Sequence, residues 1–119
     1  MFRIRASYAP APGERLDFAH YHAVHVPLAR RQMAGRVNVL NVEVEERPRP
    51  LFDDDAGGPA LTLLIDVASA ADVEAFKAFV VSDAARPLHA DIPNYTDCVP
   101  AWTVVDLTRI PAGQDGRGA

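Results

Sequence analysis

Hydrophobic residues recur along this chain with two periods, and the order of the periods leaves few folds open. Phe2, Ile4, Ala6 and Tyr8 alternate with Arg3, Arg5 and Ser7, the period-two pattern of a half-buried strand. The turn formers of APAPGE end it. From Asp17 to about Met33 the spacing is helical, with Asp17 placed as N-cap. RVNVLNVEVEER, residues 36–47, is β-branched and alternating, hence a second strand. The Pro-, Gly- and Asp-rich PRPLFDDDAGGP is a loop, and ALTLLIDVAS (60–69) is a third strand. Ser69 and Asp72 then stand at capping-box spacing, with Asp for the usual Glu, ahead of a helix with Val73, Phe76 and Val80 on its apolar stripe. RPLHADIPNYTD reads as an irregular or short-helical link, with Pro93 and Asn94 suited to a tight turn. VPAWTVVDLTRI is a fourth strand. The order β-α-β-β-α-β predicts a ferredoxin-like α+β fold: a four-stranded antiparallel sheet with two helices on one face.

That arrangement leaves the other face to be covered. Leu61, Leu63, Ile65 and Val67 alternate with Thr62, Leu64, Asp66 and Ala68, so neither side of the third strand is wholly polar. Ala101, Val105 and Leu107 oppose Trp102 and Val104 in the same way. A sheet with one face in water alternates more cleanly. The expectation is a homodimer joined through the sheet faces by a large, mostly apolar interface. One domain is expected over residues 1–108, with a disordered tail over 109–119.

Charge and composition exclude several functions. A net charge of −4 argues against a general nucleic-acid or anionic-membrane surface. No apolar run approaches the ~20 residues that cross a bilayer, and the N-terminus offers no signal-peptide core, so a cytoplasmic protein is expected. A single cysteine, Cys98, rules out an intramolecular disulfide framework; with no basic neighbour in sequence it reads as inert. The acids Asp53 to Asp55 lack the spacing of a calcium loop.

DFAHYHAVHVPLARRQ, residues 17–32, gathers three of the four histidines and a proline inside a helical pattern. On an α-helix His20 and His22 lie about 200° apart, so they cannot share an ion. His22 and His25 could share one, but zinc wants further ligands and none lies at a matching spacing. No metal is expected. His25 falls with Phe18, Tyr21 and Leu28 on one apolar-aromatic face, while His20 and His22 fall to its margins. Pro27 should kink or break the helix, freeing the carbonyl of Ala23 and pushing Val26 from helical angles.

LDFAHYHAVHVPLA resembles the signature of EthD-domain proteins, and DIPNYTDCVP resembles that family's second motif. Asp17, Tyr21, His25, Pro27 and Leu28 match the first motif, and Asp91, Ile92, Pro93, Asn94, Tyr95 and Thr96 the second. Leu16 stands where the family has Phe, and His20 where it has the first of two tyrosines. The resemblance covers about residues 2–107 and implies a dimeric α+β barrel. Nothing in the chain forms a nucleotide fingerprint, since DAGGP lies in an acidic loop, so no cofactor is expected.

With that resemblance, the leading expectation is a cofactor-independent enzyme acting on an apolar, aromatic or oxygenated metabolite held in the barrel. His25 would be the acid/base, since an imidazole titrates near neutrality. Tyr21 or Tyr95 would orient the substrate, and Asp91 would fix the imidazole tautomer. Phe18, Leu28 and Asn94 are further candidates for substrate contact. The alternative is a non-catalytic binder that sequesters a hydrophobic metabolite for an oxygenase pathway.

Overall fold

The computed structural model describes residues 1–55 and 57–112; residues 113–119, part of the expected tail, lie outside the described residues. Strands β1 (Phe2–Tyr8), β2 (Val39–Glu46), β3 (Leu61–Val67) and β4 (Ala101–Asp106) form one antiparallel sheet in the order β2-β3-β1-β4. A helix over 18–33, here α1, links β1 to β2. Helix α2 (Ala70–Val80), a 3-10 turn (Asp83–Ala85) and helix α3 (Arg86–Tyr95) link β3 to β4. This is the α+β architecture expected from the alternating periods. Among the described residues no helix is long and apolar enough to cross a membrane.

The capping box forms as the sequence spacing predicts. Ser69 accepts from the Asp72 amide, and the Asp72 carboxylate accepts from the Ser69 amide. Of the two readings of the link to β4, irregular or short-helical, the helical one holds: DIPNY is the last part of a ten-residue helix, so Pro93 and Asn94 form no tight turn. Pro87 sits in the first turn, where no amide is needed. Leu88, Asp91 and Tyr95 share one buried face, and that burial holds the helix through Pro93.

The core lies between helices and sheet. Ile4, Ala6 and Tyr8 of β1 pair with Ile65, Leu63 and Leu61 of β3, beneath Tyr21, Met33, Phe76, Phe79, Leu88 and Tyr95. Every residue of β3 is buried, as suits a strand with a neighbour on each side. At the β4 edge the helical cover runs out. Trp102 packs on Phe76, with ring centroids 5.6 Å apart, yet is 49% exposed.

The second face of the sheet differs from the apolar surface expected there. The register sets Arg3, Arg5 and Ser7 beside Asp66, Leu64 and Thr62, with Asn41, Glu43 and Glu45 beyond. Leu64, which suggested a buried apolar face, is flanked by Arg5 and Glu43 and is buried within the single chain. Leu64 shares this face with Val105 and Ala101 of β4, and long charged side chains cover such apolar surface with their stems, so the face is mixed and not mostly apolar.

Asp66 is the most demanding group on this face. It is 1% exposed, and Arg3 grips it through Nε at 2.7 Å and Nη2 at 3.0 Å, with Arg109 at 3.4 Å. The Arg3 guanidinium holds the carboxyl below its ordinary value against the opposing effect of burial. Removing Arg3 leaves that charge buried with weaker partners. Arg3→Ala is expected to lower unfolding free energy by about 3 kcal/mol, measured by urea denaturation. Replacing both residues together, as Arg3→Met with Asp66→Leu, should recover most of the loss.

Candidate functional site

The two sequence motifs meet where α1 begins and α3 ends. Leu16 and Thr96 form an isolated antiparallel bridge, and the Asp17 amide donates to the Tyr95 carbonyl at 2.7 Å. Arg15 donates from Nη1 to the Asn94 carbonyl at 3.1 Å, placing a cation on the helix C-terminus. The Thr96 hydroxyl donates to the Arg15 carbonyl at 2.8 Å. Asp17 caps α1, accepting from the His20 amide at 3.0 Å. A chain segment that ends one helix therefore fixes the start of the other.

Helix α1 absorbs its proline without breaking. It is α-helical over Phe18–His20, π-helical over Tyr21–His25 and α-helical again over Val26–Met33. The Val26 amide reaches back five residues to the Tyr21 carbonyl, and Pro27 enters at the first turn of the resumed α-helix. Val26 keeps helical angles, φ −63° and ψ −47°, contrary to the displacement expected before a proline. The wider turn makes the adjustment instead.

That turn changes which histidines meet. In a regular α-helix His20 and His25 would lie about 140° apart. With five-residue hydrogen bonding the turn is wider and that angle smaller, and both close on Asp91. His20 Nε2 stands 2.8 Å from Oδ1, and His25 Nδ1 stands 3.0 Å from Oδ2. Asn94 donates to Oδ1 at 3.0 Å. His20, expected at the margin of the helix, is thus a direct partner of the carboxylate. His22 points away to Glu46 on β2, at 3.3 Å. Burial pushes the Asp91 carboxyl up, but the hydrogen bonds from Asn94, His20 and His25 outweigh it and hold the group ionised below its ordinary value. His25 moves the other way for a histidine: burial favours its neutral form more strongly than Asp91 favours the cation.

The chain's three tyrosines converge on the same place. Tyr8, Tyr21 and Tyr95 pack with ring centroids 5.1–5.9 Å apart, edge to face. The Tyr8 and Tyr95 hydroxyls are 2.8 Å apart, and the Tyr95 hydroxyl is 3.5 Å from His25 Nε2. Burial raises the pKa of all three above the ordinary phenol value, and that of Tyr21 and Tyr95 far above it. From the ionised Asp91 a partly linked row of neutral side chains therefore runs through His25 and Tyr95 to Tyr8.

A cavity of about 240 Å³ lies beside this row, between helices and sheet of the single chain. It is lined by His25 and Tyr8 with Met33, Leu63, Phe79 and Trp102 among its apolar walls. The expected ligand space inside a two-subunit barrel is a different place, across the sheet. Of the residues expected to contact substrate, only His25 lines this cavity. Asp91 and Tyr95 stand behind it. Tyr21 is fully buried against His25, with ring centroids 5.4 Å apart, and its hydroxyl has no hydrogen-bond partner among the described residues. Phe18 lies under the Arg47 guanidinium, Leu28 packs at the edge of the core, and Asn94 serves Asp91. Tyr8 and His89 line the cavity and went unrecognised in the sequence. The available signal for Tyr8 was its place on the core-facing side of β1. Among the described residues no group of three or more His, Cys, Asp or Glu is placed to hold a metal ion.

The histidine and its carboxylate make stability pH-dependent in two windows. In the unfolded chain an imidazole takes up its proton near pH 6.5, whereas folded His25 does so only at lower pH. Between those values the unfolded state binds more protons, so stability falls as pH drops below about 6.5. Asp91 contributes above about pH 3.9, and that contribution is lost as pH falls through its depressed folded value. Melting curves at pH 7.5 and 5.5 should show a larger loss for the wild type than for His25→Gln.

No protein-family model matches the sequence, and no curated protein is significantly similar to it. Solved structures are similar in fold. An EthD-like protein from Ralstonia eutropha JMP134 is similar with a TM-score of 0.73 and 21% identity, over 96% of each chain. An EthD-family protein from Bacillus halodurans C-125 gives a TM-score of 0.58 and 12% identity, over 91% of this chain and 99% of that one. HapK from Hahella chejuensis gives 0.53 and 15%, over 95% and 100%. At these identities the likeness is one of fold: the chain has the α+β fold of EthD-like proteins.

Proposed function

We propose that this chain binds a small, uncharged and largely apolar molecule beneath its helices, and that His25 exchanges a proton with it. The observation that carries the reading is the position of one imidazole. His25 lines the cavity while its Nδ1 is committed to a buried carboxylate. That commitment leaves Nε2 as the basic atom, which is how a carboxylate sets the tautomer of a catalytic histidine. No carboxylate, lysine or arginine is among the described lining residues, so a charged ligand would find no counter-charge. An engineered cavity of about 150 Å³ holds benzene, so this volume suits one or two rings. Proton abstraction beside a carbonyl, or isomerisation, needs no cofactor and fits a neutral base in an apolar site.

The test is turnover across a panel of quinones, phenols and lactones. His25→Ala should lower the rate by about 10²- to 10⁴-fold with ligand affinity nearly unchanged. Asp91→Asn should also slow it, because an amide can present its N–H to Nδ1 and so favour the wrong tautomer. Binding with no product from any panel member would sink the catalytic part and favour the accessory-binder reading.

We also propose a homodimer formed through the open sheet face. The support is its pattern of Arg3, Arg5, Glu43 and Glu45 around Leu64 and Val105, opposite charges that a two-fold related copy could pair. Such an interface is salt-sensitive, unlike the mostly apolar one read from sequence. Sedimentation equilibrium should give twice the chain mass at 0.05 M salt and a weaker dimer at 1 M. A monomer at micromolar concentration in low salt would overturn it.

A further inference from the structure

The row of hydroxyls behind the cavity has a direction, and the direction restricts the ligand. Asp91 accepts from three donors: Asn94 Nδ2 at 3.0 Å, His20 Nε2 at 2.8 Å and His25 Nδ1 at 3.0 Å. With its proton on Nδ1, neutral His25 presents only a lone pair at Nε2. Among the described residues, the one donor within reach is the Tyr95 hydroxyl, at 3.5 Å. A buried acceptor takes the donor it can find, so the Tyr95 proton points to Nε2. The Tyr95 oxygen then accepts from the Tyr8 hydroxyl at 2.8 Å. Tyr8, on the cavity wall, is left with its oxygen as an acceptor.

A second arrangement is available once a ligand enters. The 3.5 Å contact is long for a hydrogen bond, and a ligand hydroxyl can take its place at Nε2. Tyr95 then donates to Tyr8, and the Tyr8 proton turns outward. In both arrangements a ligand O–H finds an acceptor, either Tyr8 Oη or His25 Nε2. A ligand that only accepts, such as a ketone or an ether, is served in the second alone. It then leaves the Nε2 lone pair buried without a donor, which is unfavourable.

We propose that the cavity selects neutral ligands by a hydroxyl they donate, a phenol or an enol, and that Tyr8 is the residue that reads it. The inference rests on the cavity being the ligand site and narrows the ligand class. Aromatic walls at Phe76 and Trp102 and the basic Nε2 beside the hydroxyl both suit an acidic aromatic or enolic O–H over an alkanol.

Four probes of one shape separate the possibilities: 1-naphthol, 1-methoxynaphthalene, 1-tetralone and naphthalene, each titrated into the full chain by calorimetry. Trp102, the chain's single tryptophan, lines the cavity and reports occupancy by its fluorescence. Naphthol should bind roughly tenfold more tightly than the ether and the ketone. Tyr8→Phe leaves Nε2 as the acceptor for a ligand hydroxyl and should shrink that preference. Tyr95→Phe should free the Tyr8 proton and raise tetralone affinity above that of the wild type, a gain that loss of packing would not produce. The wild-type comparison stands even where a variant fails to fold. Equal binding of all four probes, or a naphthol preference unchanged in folded Tyr8→Phe, overturns this inference and leaves the cavity as a ligand site. Failure of every probe to bind overturns both.

Discussion

A carboxylate taken out of water must be met by donors, and the Asp91 carboxylate organises much of this molecule. It sits on α3 and is bonded by two histidines of α1 and by Asn94 of its own helix. Breaking such a group from its partners is strongly unfavourable, since a buried charge has no water to fall back on. The two helices have few other polar ties, so their relative position depends on this contact and on the zipper of Arg15 to Asp17 against Asn94 to Asp97. The π-turn belongs to the same requirement. Without the extra residue in that turn, the two imidazoles would lie about 140° apart around the helix.

This dependence explains what could be read from the sequence and what could not. The sheet and the capping box were legible because they rest on local alternation and on a spacing of three residues. Helix α3 was obscured by Pro87, Pro93 and Asn94, whose local preferences favour turns. Only the burial of Leu88, Asp91 and Tyr95 against distant elements decides for helix. His20 was misplaced for a sharper reason. Assigning it to the helix margin assumes 100° per residue, and the π-turn over Tyr21–His25 breaks that assumption where it matters. Pairing of His25 with Asp91 was suggested by the motif resemblance, and no periodicity within one element implies it. Tyr8 was overlooked because a tyrosine at the end of a core-facing strand looks like packing.

The two faces of the sheet divide the polar work between them. On the open face Asp66 is ionised and satisfied by a cation, Arg3, with Arg109 in support. On the helical face Asp91 is ionised and satisfied by two imidazoles and an amide. A guanidinium stays protonated at any pH a protein meets, so the Asp66 site is a fixed structural tie. Imidazoles exchange protons near neutrality, so only the second carboxylate sits in a setting where its partner can change state and return.

The position of the cavity follows from where the helical cover ends. Helices α1 to α3 roof β2, β3 and β1, but β4 is an edge strand with Trp102 and Val104 half exposed and Val99 88% exposed just before it. A close-packed core tolerates few voids. The opening therefore forms where packing is incomplete, between Phe79, Leu63 and the Trp102 rim, and His25 lines it while Asp91 holds its Nδ1. Moving the carboxylate one turn along α3 would leave cavity and imidazole in place but release the tautomer. The chemistry of the site thus depends on a contact made behind it, out of reach of any ligand.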